Sequence, residues 1–91
     1  MNQAYLEVTF RYGRAIAAYF YLPRRAGQKS YRSVRYEPGL IVDFSRAGRP
    51  IGIEITAPEA ISLAAMNRVL RELGLAAVKR TDLAHVCGWR R

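Results

Sequence analysis

Ninety-one residues make one domain with a thin stability margin, because a chain this short buries only about two-thirds of its unfolded surface. The single cysteine, Cys87, excludes an internal disulfide and a cysteine-rich metal site, and reads as a small, half-buried apolar residue. Fifteen Lys and Arg against seven Asp and Glu give a net charge of +8, and only two of the fifteen are Lys.

Arginine is the better residue for two-pronged contacts to carboxylate or phosphate. Such a field attracts anionic partners: nucleic acid, an acidic protein face or anionic lipid. Solubility, or the arginine-rich usage of a GC-rich genome, explains the same charge without any partner. An apolar fraction of 51% supplies a core and leaves room for an oligomer that completes it. No run approaches the ~18 apolar residues of a membrane span. Met1 to Phe10 lacks the charged start and apolar run of a signal peptide, so the expected location is the reducing cytoplasm.

In chain order, Tyr5 to Phe10 alternates, with Leu6, Val8 and Phe10 on one side: a half-buried strand. Arg11-Tyr12-Gly13-Arg14 is a turn. Ala15 to Leu22 alternates again, with Ile16, Ala18, Phe20 and Leu22 on one face and Ala15, Ala17, Tyr19 and Tyr21 on the other. Both faces are fairly apolar, which predicts a central strand or one covered by a partner. Pro23 to Ser30 is a polar loop carrying Arg24, Arg25 and Lys29. Tyr31 to Tyr36 is a mixed strand whose arginines suit a sheet edge.

Glu37-Pro38-Gly39 has the type II turn signature, with glycine where the backbone needs a positive φ. Leu40 to Phe44 and Ile51 to Ile55 follow as a hairpin around Ser45 to Pro50, with Gly48 as the left-handed residue. Ile51, Ile53 and Ile55 share one face of the last strand. Thr56 and Glu59 form a capping-box pattern with Pro58 in the first turn, predicting a helix from there to about Leu73. Ile61, Ala65, Met66, Val69, Leu70 and Leu73 make its apolar stripe, and Gly74 ends it. A short second helix is expected near Arg80 to Cys87.

The stretch Pro38-Gly39-Leu40-Ile41-Val42-Asp43-Phe44, with Ile51-Gly52-Ile53-Glu54-Ile55 after a glycine turn, resembles the bacterial domain of unknown function 2283 family. That family typically reads Pro-Gly-Val-Ile-Val-Asp-Tyr-Asp, then a Gly-containing turn, then Val-Gly-Ile-Glu-Ile. Ala17 to Leu22 looks like its second strand and Leu63 to Leu75 like the helix of its longer members, so the similarity spans roughly residues 5 to 75. The resemblance implies a small meander-plus-helix fold, no established activity, and an antitoxin-like role, since members are similar to small proteins sometimes encoded near toxin-like partners. This chain departs from the family by placing Phe10-Arg11, Ile16 and Ser45 where acidic or Tyr-Asp positions are usual; Asp43 and Glu54 remain.

Asp43 and Glu54 lie on paired strands and are able to share a face, as acid–base partners or a cation site. The plainer reading is that each makes a cross-strand pair with Arg32 or Arg35. His85 and Cys87 are two apart, a spacing at which helical side chains do not face each other. No phosphate-binding glycine loop or nucleophile elbow occurs. No catalytic residue, cofactor or metal is therefore expected.

The expectation is an α+β protein: an antiparallel β-meander of about five short strands, one amphipathic helix on one sheet face and a short C-terminal helix. Residues 1–75 form the domain and 76–91 a C-terminal extension. One helix covers one face, so the other needs a cover. That makes the chain a non-enzymatic binding module, a homo-oligomer or one acting through a small protein partner, with Tyr19, Tyr21 and Tyr31 as candidate interface. The alternative is nucleic-acid binding through Arg11, Arg14, Arg24, Arg25, Lys29, Arg32 and Arg35 interleaved with tyrosines.

Overall fold

Two runs of alternating side chains, each folded back on itself by glycine-bearing turns, build a single five-stranded antiparallel sheet. The computed structural model describes residues 4–23 and 27–79. The strands are β1 (Tyr5–Arg11), β2 (Arg14–Tyr21), β3 (Arg32–Glu37), β4 (Leu40–Phe44) and β5 (Pro50–Ile55), followed by the helix α1 (Leu63–Glu72). The fold is α+β, as the sequence predicts.

Across the sheet the strands run β1-β2-β5-β4-β3. A hairpin and a three-stranded meander are thus joined edge to edge, with β5 in the middle. β2 and β3 are separated by β5 and β4, three strand spacings or about 14 Å. The residues flanking them are tied down: Leu22 N donates to Ile51 O at 3.2 Å and Tyr31 N to Phe44 O at 2.8 Å. The mixed strand β3 lies at an edge and the two-sided apolar strand β2 lies inside, both as expected.

Tyr12 and Gly13 both have positive φ, 52° and 77°, and link the paired Arg11 and Arg14. This is the type I′ geometry whose twist matches that of the strands. Gly39 takes φ 83°, as a type II turn after Pro38 requires, and Gly48 is left-handed as predicted.

One face of the sheet is the core. Leu6, Phe20, Ile53, Val42 and Val34 sit side by side across all five strands. Val8, Ala18, Ile55 and Leu40 form the next row. The inner members of both rows pack on Met66, Val69 and Leu70 of α1 and on Ile61. Each fully buried aliphatic side chain contributes about 1.5–3 kcal/mol of transfer free energy, so these rows supply most of what holds the domain.

Two sequence expectations are corrected. The first concerns Ala15 and Ile16. The β1–β2 register slips by one residue between Thr9 and Phe10, leaving Ile16 as the extra residue of a bulge. The slip turns Ala15 inward, 6% exposed, and leaves Ile16 43% exposed, the reverse of strict alternation. The second concerns the helix start. Thr56 does not cap it: Pro58–Ala60 forms a separate 3-10 turn with no side-chain cap. The helix begins after Ser62, whose hydroxyl accepts from Ala65 N at 3.1 Å. Ile55 hands the chain over at the sheet's end, and the 3-10 turn lets it rise onto the core face before the helix starts.

The helix ends as Gly74 predicts. Gly74 N donates to Arg71 O at 3.0 Å and Leu75 N to Leu70 O at 2.8 Å, the paired bonds of a Schellman motif. The chain then folds back. Asn67 Oδ1 accepts from Val78 N at 2.8 Å, and Asn67 Nδ2 donates to Val78 O at 3.0 Å. Leu75 and Val78 pack against the core. The short helix expected near Arg80 to Cys87, with His85 and Cys87, lies outside the described residues. Among the described residues no helix is long and apolar enough to cross a membrane.

Candidate functional site

The strand alternation that fills the core puts Tyr5, Tyr21, Gly52, Asp43 and Ser33 in one row on the opposite, open face, with one residue from each strand. Glu7, Tyr19, Glu54, Ile41 and Arg35 make the adjacent row. No helix covers these rows among the described residues; α1 lies toward β3 on the other side.

The aromatic part is tightly arranged. Tyr5 and Tyr21 stack with ring centroids 4.5 Å apart, and Tyr19 meets Tyr21 edge-on at 4.7 Å. Tyr21 Oη donates to Glu7 Oε1 at 3.0 Å. Tyr19 leans from β2 over the backbone of β5 and donates its hydroxyl to Asp43 Oδ2 on β4 at 2.7 Å. That bridge spans two strand spacings, about 10 Å. It is possible only because residue 52 is glycine. A Cβ at Gly52 would lie 2.0 Å from Tyr19 Oη and 2.3 Å from Cζ. Ser33 Oγ on β3 donates to the other oxygen, Asp43 Oδ1. Asp43 is therefore a hub joining β2, β4 and β3 above the sheet.

This arrangement bears on both readings of the carboxylates. Asp43 and Glu54 do share a face, but they are diagonal rather than opposite: Asp43 faces Gly52 and Glu54 faces Ile41. The expected cross-strand pairing of Asp43 with arginine is replaced by two hydroxyl donors. Arg32 lies on the core side, its guanidinium 5.2 Å from the Phe44 ring centroid. Among the described residues no group of three or more His, Cys, Asp and Glu is placed to hold a metal ion.

The described members of the basic set singled out in the sequence, Arg11, Arg14, Lys29, Arg32 and Arg35, do not lie together. Antiparallel order sends the β1–β2 turn to one end of the sheet and the β2–β3 and β4–β5 loops to the other. Arg11 and Arg14 flank the first turn, where Tyr12 is 92% exposed and Arg11 sits 5.7 Å from its ring centroid. Arg14 pairs with Glu59 at 3.1 Å. Together with Ile16 and Ala57 they line an open groove of about 830 Å³. At the far end Lys29 and Tyr31 line a smaller groove of about 380 Å³, with Arg46 lying 5.5 Å from the Tyr31 ring centroid. Arg24 and Arg25 lie outside the described residues. Of the described basic residues singled out, only Arg35 stands on the open face between these ends. Tyr31 is thereby separated from Tyr19 and Tyr21, with which the sequence grouped it.

Among the described residues, the centre of the open face thus holds Glu7, Asp43 and Glu54 against Arg35, in a chain whose net charge is +8. Residue counting missed this inversion. The signal that finds it is strand register, which sorts the arginines to ends and edges and the carboxylates to one face. Sequence reasoning also missed Gly52, Tyr5 and Ser33; an interior strand glycine beside a tyrosine-bearing strand was the available sign of a close approach.

No protein-family model, curated protein or solved structure matches the chain, so the functional reading rests on this geometry.

Proposed function

We propose that the chain is a non-enzymatic binding module that acts through protein contacts, and that the open face of its sheet receives a partner segment bearing arginine or lysine. The supporting observation is the tyrosine row held over Gly52 by Asp43 and Glu7. Tyrosine gives large, rigid contact area at low entropic cost, and its ring face attracts cations. Carboxylates beside the rings supply the matching charge. The resemblance of Pro38 to Ile55 to the domain of unknown function 2283 family belongs to the same proposal, and an antitoxin-like module is one form it takes.

The test uses a tyrosine-free peptide alternating arginine with valine, titrated into the protein and followed by NMR. The expected shifts concentrate on Tyr5, Tyr19 and Tyr21, a glutamate-for-arginine peptide gives none, and Gly52→Ala weakens binding at least tenfold. Absence of binding, or shifts confined to Arg11–Arg14, overturns the reading.

One observation favours a second reading, nucleic-acid binding. It is Tyr12, fully presented at a hairpin tip between Arg11 and Arg14. A ring there offers a base-stacking platform beside two phosphate-binding groups. This moves the interaction from the sheet to the turn. A labelled single-stranded oligonucleotide at low salt is expected to bind, to lose affinity steeply with added salt, and to lose it in Tyr12→Ala. No shift at low salt removes this reading.

A further inference from the structure

The two edges of the sheet are unequal. β3 presents Arg32, Arg35 and Glu37, and its register slips between Arg35 and Glu37. Charges and bulges of this kind are how sheet edges avoid pairing with another chain. β1 has no bulge of its own, and its two charges are of opposite sign. It runs seven residues, Tyr5–Arg11, with no proline and no lysine. The register slip beside it falls on β2, at Ile16, so β1 itself is continuous. Its charged residues are Glu7 and Arg11, both on the open-face side of the alternation. On the core side, Leu6 and Val8 are half-buried and Phe10 is 46% exposed, because α1 sits over the β3 side of the sheet.

We propose that β1 pairs with β1 of a second copy, antiparallel about a two-fold axis at Thr9, to make a continuous ten-stranded sheet. A two-fold axis perpendicular to the sheet keeps both helices on one side. It sets Thr9 opposite Thr9, and Val8 opposite Phe10 on the core side. It also sets Glu7 opposite Arg11 twice on the open face, an opposite-charge cross-strand pair of the kind that stabilises sheets. The register one residue pair away, centred on Val8, places Glu7 against Thr9 and loses both pairs; a centre at Glu7 opposes two carboxylates. Charge complementarity therefore selects both the occupant and the register. Repulsion between two chains of +8 is screened beyond about 8 Å at physiological salt. The pairing merges two half-covered apolar strips into one, and doubles the tyrosine face into a single wide surface.

The proposal rests on the reading of the chain as a module working through protein contacts, yet the two fail separately. The test is sedimentation equilibrium of the full chain at about 150 mM salt. Wild type is expected to be a dimer at micromolar concentration. Glu7→Arg and Arg11→Glu each raise the dimer dissociation constant at least tenfold, and the doubly swapped chain recovers at least most of that loss. Glu7 and Arg11 are four residues apart on one strand, about 13 Å, so recovery is an intermolecular effect and not repair of the fold. Thr9→Cys in a Cys87→Ser background is expected to cross-link on oxidation, whereas Ser33→Cys on the other edge strand is not. A monomeric wild type, single variants that leave the dimer unchanged, or a double swap without recovery overturns the edge pairing. A monomer that still binds the arginine peptide overturns it while leaving the open-face reading intact.

Discussion

On the core side of the sheet, Leu6, Phe20, Ile53, Val42 and Val34 line up across five strands and meet the domain interior through apolar area alone. One position along, on the other side, Tyr5, Tyr21, Gly52, Asp43 and Ser33 line up in the same register and are joined by ring contacts and hydroxyl–carboxylate bonds. The first row tolerates any well-shaped apolar side chain, because area is non-directional. The second depends on angles and on one missing methyl group. Identical strand geometry thus carries one face held by apolar area and one held by directed bonds. The difference is measurable by breaking each in turn.

The largest effect is expected on the core side. Ile53 is 0% exposed in the central strand and touches both flanking strands. Ile53→Ala removes three buried carbons and leaves a cavity that the sheet cannot collapse into, costing about 2–5 kcal/mol. In a small domain that is a large share of the total stability. A urea melt should show an early midpoint or no folded baseline. A loss under 1 kcal/mol would mean that the sheet centre is looser than its burial indicates.

Gly52→Ala probes the other face and is expected to cost less, about 1.5–3 kcal/mol, the worth of a hydrogen bond to a charged group. The new methyl must lift the Tyr19 ring, which separates its hydroxyl from Asp43. The sign then depends on the partner. In a Tyr19→Ala background the clash is gone, and the same Gly52→Ala change should be neutral or stabilising, since alanine loses less backbone entropy than glycine in a strand. A double-mutant cycle on thermal melts reads the coupling. Additive effects would show that Tyr19 does not depend on the open backbone at residue 52.

The contrast between the faces also explains what the sequence could say. The strand positions, the Pro38-Gly39 turn, the Gly74 helix end and the edge placement of β3 are all written in alternation or in local backbone chemistry, and all are found. The exceptions have one cause each. Ala15 and Ile16 exchange roles because a bulge changes the period, and alternation carries no mark of a bulge. The Thr56–Glu59 pattern is a good local cap, but the chain has to climb from the sheet end to the core face, so Ser62 caps instead. On the open face the residue types were legible, whereas their partners were not. Tyr19 and Asp43 are 24 positions apart, and only the β2–β5–β4 register brings them together. The same register disperses the described basic residues, Arg11, Arg14, Lys29, Arg32 and Arg35.

The smallest effect concerns the ion pair that, among the described residues, ties β3 to α1. Arg68 on α1 meets Glu37 at the end of β3 with two bonds, Nε to Oε2 at 2.7 Å and an Nη2 contact to Oε1 at 2.9 Å. It is the core side's counterpart to the Tyr19–Asp43 bridge, but it stands in solvent, where such pairs contribute little and salt screens them. Hydrogen bonding from Arg68, helped by its charge and opposed by desolvation, holds the Glu37 carboxyl below its ordinary pKa; the same bonds raise that of Arg68. A carboxylate with a depressed folded pKa stabilises above the unfolded value and loses that contribution as pH falls through the folded value. Arg68→Ala should therefore lower the melting temperature slightly at neutral pH. The gap from wild type should shrink on acidification below about pH 4, the ordinary carboxylate range, and shrink at high salt. A gap that persists unchanged at low pH would assign the contribution to packing of the arginine stem rather than to its charge. Gly52→Ala should then remain the clearer directional lesion of the two, because the Tyr19–Asp43 bond is partly buried and the Arg68–Glu37 pair is exposed.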